Sequence, residues 1–241
     1  MDLGAPDPVA TVAVVRHRAR DLYVRMLVPG RVVTYPITEI FRSLQGEGHF
    51  VGYPMVFVRL AGCSVTDCHI RAECDEAPWK MTAKMEGTEI VAEVRRLQRT
   101  GIVCITGGEP TDHDLTPVVC ALHDAGFRVH LETSGVRPIL GMPLEWLTVS
   151  PKVLSSDGLK QHTGHTLKIV MRPEWSIAEG WEIVRRIDAA GDFFHRYLQP
   201  MTGADGKPVN LDAVIKMLLG DENANGRWAL STQTHRLWNV P

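Results

Sequence analysis

The sequence predicts an α/β fold, a partial (β/α) barrel of mostly parallel strands. Three observations carry that expectation. From residue 54 onward, short β-branched runs alternate with amphipathic stretches. Two of the amphipathic stretches run from a terminal glycine straight into the next strand, which leaves little room for hairpins. Every polar or glycine-rich signal falls just after a strand, where a parallel β/α fold gathers its chemistry on one face.

In chain order, residues 1–33 read as a lead-in with no clear pattern and a loose, Pro- and Gly-bearing start; its role is not legible, and Met26 offers a second candidate start. Residues 34–241 read as one catalytic domain. The expected strands are "MVFVRL", "IVCIT", "FRVHLE", "WLTVS", "TLKIVM", "FFHRYLQ" and "RWALST". The expected helices are "TEIVAEVRRLQRTG", with Thr88 as N-cap, Ile90, Val91, Val94 and Leu97 on one face and Gly101 as the stop, then "LTPVVCALHDAG", "SIAEGWEIVRRIDAAG" and "NLDAVIKMLLG".

The composition narrows the function. A chain of 241 residues that is 44% hydrophobic can bury one substantial core. Its net charge of −2, with Lys and Arg dispersed, gives no footprint for nucleic acid, and no apolar run is long enough for a bilayer. A small-molecule partner and a cytoplasmic setting are therefore expected. In that setting five cysteines do not suggest a disulfide framework. Cys104 and Cys120 lie in apolar segments and read as core residues.

Cys63, Cys68 and Cys74 stand within twelve residues, after "MVFVRL". A structural zinc site would want a fourth ligand, and His69, adjacent to Cys68, is badly spaced to supply it. Unrelated free thiols are a second reading. The third is an iron–sulfur cluster with three thiolate-held irons and one iron left open for a substrate or cofactor, the main biological case being S-adenosylmethionine. "GGEP" at residues 107–110, one β/α unit later, favours this reading: two glycines let backbone approach a ligand, Glu109 can accept from its ammonium, and Pro110 stiffens the turn.

Taken in order, "EIFRSLQGEG", "VFVRLAGC", "CDE", "TGGEP", "ETSG", "SPK", "YLQPM" and "LSTQTHRLWNVP" resemble the 7-carboxy-7-deazaguanine synthase family of radical S-adenosylmethionine enzymes, across residues 38–241. The resemblance implies a partial barrel of the radical S-adenosylmethionine type. It also implies a lyase reaction, the ring contraction of 6-carboxy-5,6,7,8-tetrahydropterin to 7-carboxy-7-deazaguanine with loss of ammonia, on the route to deazapurines such as queuosine precursors. The implied cofactors are a [4Fe-4S] cluster on Cys63, Cys68 and Cys74, S-adenosylmethionine acting through a 5′-deoxyadenosyl radical, and Mg2+.

Carried over by position, Leu44, Gln45, Gly46, Arg59, Thr106 and the terminal Pro241 resemble substrate contacts. Glu73, Asp75, Gly108, Ser150, Pro151, Lys152, Gln199, Pro200 and Met201 resemble the S-adenosylmethionine pocket. The resemblance further implies a homodimer and a flavodoxin-like or other reductant. Two departures stand out. The cysteine spacing is C-x4-C-x5-C instead of the superfamily's CxxxCxxC, and Glu76 occupies the position resembling the magnesium ligand, where the family usually has Thr. His235 in "QTH" reads equally as a core histidine or a pocket residue. A glycyl-radical activase and a zinc-stabilised binding module are the competing functions; neither explains "SLQGEG" together with the "QTH" tail.

Overall fold

The computed structural model describes residues 32–74, 80–155 and 157–241. The lead-in through residue 31, Asp75 and Glu76 lie outside the described residues. Among the described residues nine strands form one sheet: β1 (Thr34–Leu44), β2 (Pro54–Leu60), β3 (Ala83–Glu86), β4 (Gly101–Gly107), β5 (Phe127–Thr133), β6 (Trp146–Val149), β7 (Thr163–Met171), β8 (Asp192–Pro200) and β9 (Ala229–Leu230). Their spatial order is β3-β1-β2-β4-β5-β6-β7-β8-β9. From β2 to β9 every pairing is parallel; β1 is antiparallel to both β2 and β3. The mostly parallel α/β sheet expected from the sequence is thus present, open at both ends.

Five helices, α1 (Gly87–Leu97), α2 (Thr116–Asp124), α3 (Ile177–Ala189), α4 (Leu211–Leu219) and the short α5 (Thr234–Trp238), accompany it. Ile90 and Val94 of α1, Val118, Val119 and Leu122 of α2, and Trp181, Val184 and Ile187 of α3 pack against Val103, Ile105, Val129, Leu131, Val149, Leu167 and Ile169 of the strands. Apolar residues at the 3.6 period of a helix meet apolar residues at the period of two in a strand, which makes this the main core. No described helix is long and apolar enough to cross a membrane.

Two expectations about elements need correction. Thr88 does not cap α1: Glu86 does, in a reciprocal capping box with Glu89, and the helix ends at Leu97, before Gly101. Gly101 instead opens β4 at φ 128°. β1 and β3 were not anticipated either, because Pro36 and the interspersed polar residues of "TYPITEIFRSL" obscure a strand on sequence alone. At the other edge, "RWALST" contributes only Ala229–Leu230 as strand.

The opposite face of the sheet carries the rest. Counting in steps of two from the second apolar cluster, Met55, Phe57, Ile102 and Cys104, puts Arg59 on β2 and Thr106 on β4 on that same face. Glu132 on β5, Lys168 on β7 and Gln199 on β8 join them around one cavity. Glu47, three residues beyond the end of β1, reaches Lys168 on β7, five places along the sheet. A flat sheet would separate those strands by about 24 Å, more than three residues and two side chains span. The sheet therefore curls, and the β1–β2 connection crosses its hollow.

Candidate active site

The cavity in that hollow has a volume of about 720 Å³. Cys63, Cys68 and Cys74 line it together with Gly108, Ser150, Lys152 and Gln199, so the three cysteines share a chamber with part of the expected cofactor pocket. Leu44, Gln45, Gly46, Arg59, Thr106 and Pro241 line it too. Glu73, Glu109, Pro151, Pro200 and Met201 do not.

Local chemistry explains how the cofactor side is built. Gly107 sits at φ 122°, with the backbone of Leu60 against it, and a Cβ on Gly108 would lie 2.6 Å from the carbonyl carbon of Gly62 and 3.1 Å from Cβ of Cys63. Only glycines let this turn close against the cysteine-bearing loop. The turn is fastened by Gly108 N–H donating to Leu60 O and Glu109 N–H to Gly62 O, both at 3.0 Å.

Glu109 is engaged by neighbouring side chains and backbone. Its side chain is 1% exposed and its carboxylate accepts from Thr111 N (3.0 Å), Thr111 Oγ1 (2.6 Å), Thr133 Oγ1 (2.6 Å), Ser134 N (2.9 Å) and Ser134 Oγ. A carboxylate this well supplied locks the ends of β4 and β5 together and turns away from the cavity.

The cysteine loop is held from several sides. Ser64 N–H and Oγ donate to Asp112 at 2.8 and 2.7 Å, and Arg137 closes the group by pairing with Asp112. Farther along, His69 N–H donates to Lys152 O at 2.9 Å, while the ring nitrogens face Lys152 O (2.9 Å) and Val170 O (3.2 Å). Each ring nitrogen faces a backbone carbonyl, of which a neutral imidazole can donate to one, and His69 does not line the cavity with the three cysteines. Glu73 lies outside the cavity, paired with Arg172 at 3.4 Å.

Among the described residues no three His, Cys, Asp or Glu side chains converge tightly enough for a single metal ion. Three thiols opening on one chamber suit a wider group, a cluster that leaves one iron open. Burial pushes the Cys63 thiol up, with smaller contributions from Glu109, Asp112 and Cys68, against a backbone hydrogen bond at Val65 that lowers it. Ser150 is buried, and Lys152 Nζ donates to its Oγ at 2.7 Å and its carbonyl at 3.2 Å, giving the "SPK" turn its own brace.

The substrate side was only partly legible. Glu47, Glu132 and Lys168 line the cavity without having been singled out. Lys168 is 5% exposed and pairs with Glu47, which also accepts from Gln233 Nε2 at 2.8 Å. Burial raises the Glu47 carboxyl, but the charge and hydrogen bond of Lys168, with Gln233 and His235, outweigh it and hold the group at about 2. Gln45 donates to Glu132 Oε1 at 3.0 Å and accepts from Glu47 N–H at 3.1 Å. Arg59 faces Glu39 at 3.3 Å and lies 5.3 Å from the Phe41 ring centroid.

The connection is anchored below by rings. His49 stacks on Trp146 (4.8 Å) and lies against His195 (4.1 Å), and Phe50 meets Trp146 edge-on at 4.7 Å. From above, the C-terminal tail closes over it: Thr234 N–H and Oγ1 both donate to Gly46 O, at 3.0 and 2.7 Å, and Ser43 Oγ donates to Pro241 O at 2.7 Å. His235 lies on Gly46 and lines the cavity. Cys104 and Cys120 are buried, as expected.

No protein-family model matches the chain. Curated relatives do. A 7-carboxy-7-deazaguanine synthase from Synechocystis sp. is 32% identical over 214 residues, covering 86% of this chain and 94% of that protein. The protein of the same name from Escherichia coli K12 is 32% identical over 236 residues, with 86% and 99% covered. That from Burkholderia multivorans is 32% identical over 227 residues, with 87% and 100% covered. Among solved structures, the crystal structure of QueE from Escherichia coli matches at a TM-score of 0.64 and 28% identity, covering 83% of this chain and 94% of that one.

Proposed function

The chain belongs to the 7-carboxy-7-deazaguanine synthase family, and from that premise we propose how its cavity carries the reaction, the conversion of 6-carboxy-5,6,7,8-tetrahydropterin to 7-carboxy-7-deazaguanine with loss of ammonia. The observation that carries the reading is the common chamber: the three cysteines, Gly108 of the two-glycine turn, the "LQGE" connection and Pro241 all open on it.

Cys63, Cys68 and Cys74 would hold a [4Fe-4S] cluster. With S-adenosylmethionine it supplies, when bound and reduced, a carbon radical able to take hydrogen from a substrate C–H bond. The chain's own residues bind and orient. Gly108 admits the ligand close to backbone, Ser150 and Lys152 form a braced polar wall, and Gln199 presents an amide beside them.

Opposite, Arg59 offers a cation for the substrate carboxylate, and Glu47 and Glu132 offer acceptors for the guanidine-like pterin edge, with Pro241 lining the same cavity. The Glu47–Lys168 pair and the Gln45–Glu132 bond hold these acceptors before substrate arrives. Preformed partners reduce the ordering cost of binding. Pro241 and His235 close the cavity from the tail side, limiting water around a reactive intermediate.

Magnesium belongs to this proposal through the sequence alone: Glu76 stands where the family's metal ligand is expected, and a carboxylate suits a hard cation. A homodimer and a flavodoxin-like reductant complete it. The decisive experiment is anaerobic cluster reconstitution followed by S-adenosylmethionine, reductant and carboxytetrahydropterin. Iron and labile sulfide near four each per chain, with the deazaguanine formed, are expected. Zinc without sulfide, or cleavage of S-adenosylmethionine without the deazaguanine, would overturn the reading.

A further inference from the structure

Ser231 follows β9 directly and is 4% exposed. Its backbone N–H donates to Leu198 O at 3.0 Å, which sets its hydroxyl beside the end of β8. There Oγ accepts from Gly48 N–H at 3.0 Å and faces Gln199 Oε1 at 2.8 Å. A backbone N–H can only donate, so the hydroxyl's single proton is left for Gln199, where it needs an oxygen. With its oxygen engaged, Gln199, itself 4% exposed, keeps its NH2 group for the cavity it lines.

We propose that Ser231 is a positioning residue that fixes Gln199 as a hydrogen-bond donor toward an acceptor of S-adenosylmethionine, a ribose hydroxyl or carboxylate oxygen, and ties it through Gly48 to the Glu47 corner of the substrate side. The proposal rests on the function proposed above. One buried hydroxyl then links Gln199, which lines the chamber, to Gly48, the neighbour of the lining residue Glu47. A ligand that orders Gln199 steadies the Gly48 amide, and a ligand that orders the Glu47 corner steadies Gln199. Such coupling is reciprocal, each ligand tightening the other by the same factor. A single shared hydrogen bond sets its scale at a few-fold to about tenfold.

The test uses the cluster-loaded protein under anaerobic conditions without reductant, so that binding is read without turnover. Calorimetry gives the dissociation constant of S-adenosylmethionine with and without 6-carboxytetrahydropterin. In the native protein the pterin is expected to tighten S-adenosylmethionine by up to about tenfold, and in Ser231→Ala that factor should fall toward one. Ser231→Thr, which retains the hydroxyl, should preserve the coupling, with thermal melting checked for both.

If Ser231→Ala does not fold, Ser231→Thr and Ser231→Cys decide, because a thiol is a much weaker donor; equal coupling in the two overturns the proposal. A native protein that binds both ligands while Ser231→Ala leaves the factor unchanged overturns the role of Ser231 alone. A native protein that does not bind the pterin overturns the assigned reaction, and the coupling with it.

Discussion

Glu47 and Lys168, separated by 121 positions in sequence, form a buried ion pair across the hollow of the sheet. The pair fastens the β1–β2 connection to β7 and leaves both charges at the cavity wall. Removing one partner strands the other charge in a poorly solvated place, which costs roughly 3–5 kcal/mol. Lys168→Met is therefore expected to lower unfolding stability by about that amount in urea titrations and to abolish turnover. The double variant Glu47→Gln/Lys168→Met should recover part of the stability and none of the activity. A single variant as stable as the native protein would contradict this account.

Acid should erode stability in two ranges. His130 is held at about 3, mainly by burial, with Arg128 and His165 adding to it. Between its ordinary value of 6.5 and that value the unfolded chain binds a proton that the folded chain refuses, so stability falls as pH drops through this window. Glu47, ordinarily at 4.5 and held here at about 2, adds a second loss between those values, because the paired carboxylate resists protonation only in the folded state. Unfolding free energies measured from pH 7 to 3 should fall less steeply in His130→Phe than in the native protein; parallel curves would count against the assignment.

Gly46→Ala tests the contact between connection and tail. A Cβ there would lie 2.6 Å from Cγ and 2.7 Å from Cβ of His235, so the whole residue must move and not merely its ring tip. The tail is expected to shift off the cavity, raising KM for the pterin at least about tenfold, on the scale of a lost buried hydrogen bond or more. S-adenosylmethionine binding should change far less, which calorimetry on the unreduced protein can read.

Gly108→Ala tests the other side. The added methyl meets the Gly62 carbonyl and must push the Cys63 loop away from the turn. Iron per chain after reconstitution should drop by half or more, while the far-ultraviolet circular dichroism is unchanged. Full iron loading would show that the close approach is not needed to hold the cluster loop.

Magnesium dependence can be judged from Glu76. Turnover of the native protein and of Glu76→Thr across magnesium concentrations should give different titration midpoints; superimposable curves would remove Glu76 from the metal site.

Much of the fold was legible because its signals are local. Ile90 and Val94 of α1 and the apolar runs of β4, β5 and β7 repeat at the periods of a helix and a strand, and parallel pairing follows from the helices between them. β1 was hidden because Pro36 and alternating polar residues resemble a loop until β3 and β2 pair with it on either side. Thr88 misled because a hydroxyl before an apolar stripe is the commoner cap, whereas Glu86 wins here through its exchange with Glu89.

The sequence by itself determined the three cysteines, the two-glycine turn one β/α unit later, and the succession of strand ends that gathers "GGEP", "SPK" and "QPM" on one face. These depend on residue type and period, which neighbours in the chain fix. Only the tertiary structure decided that Glu109 faces inward to Thr133 and Ser134, that the His69 ring meets backbone carbonyls, that Lys168 lines the cavity, and that Ser231 bonds Gln199. Each of those depends on a partner far away in sequence. A buried polar group is defined by what satisfies it, and curling of the sheet brings that partner within hydrogen-bond reach.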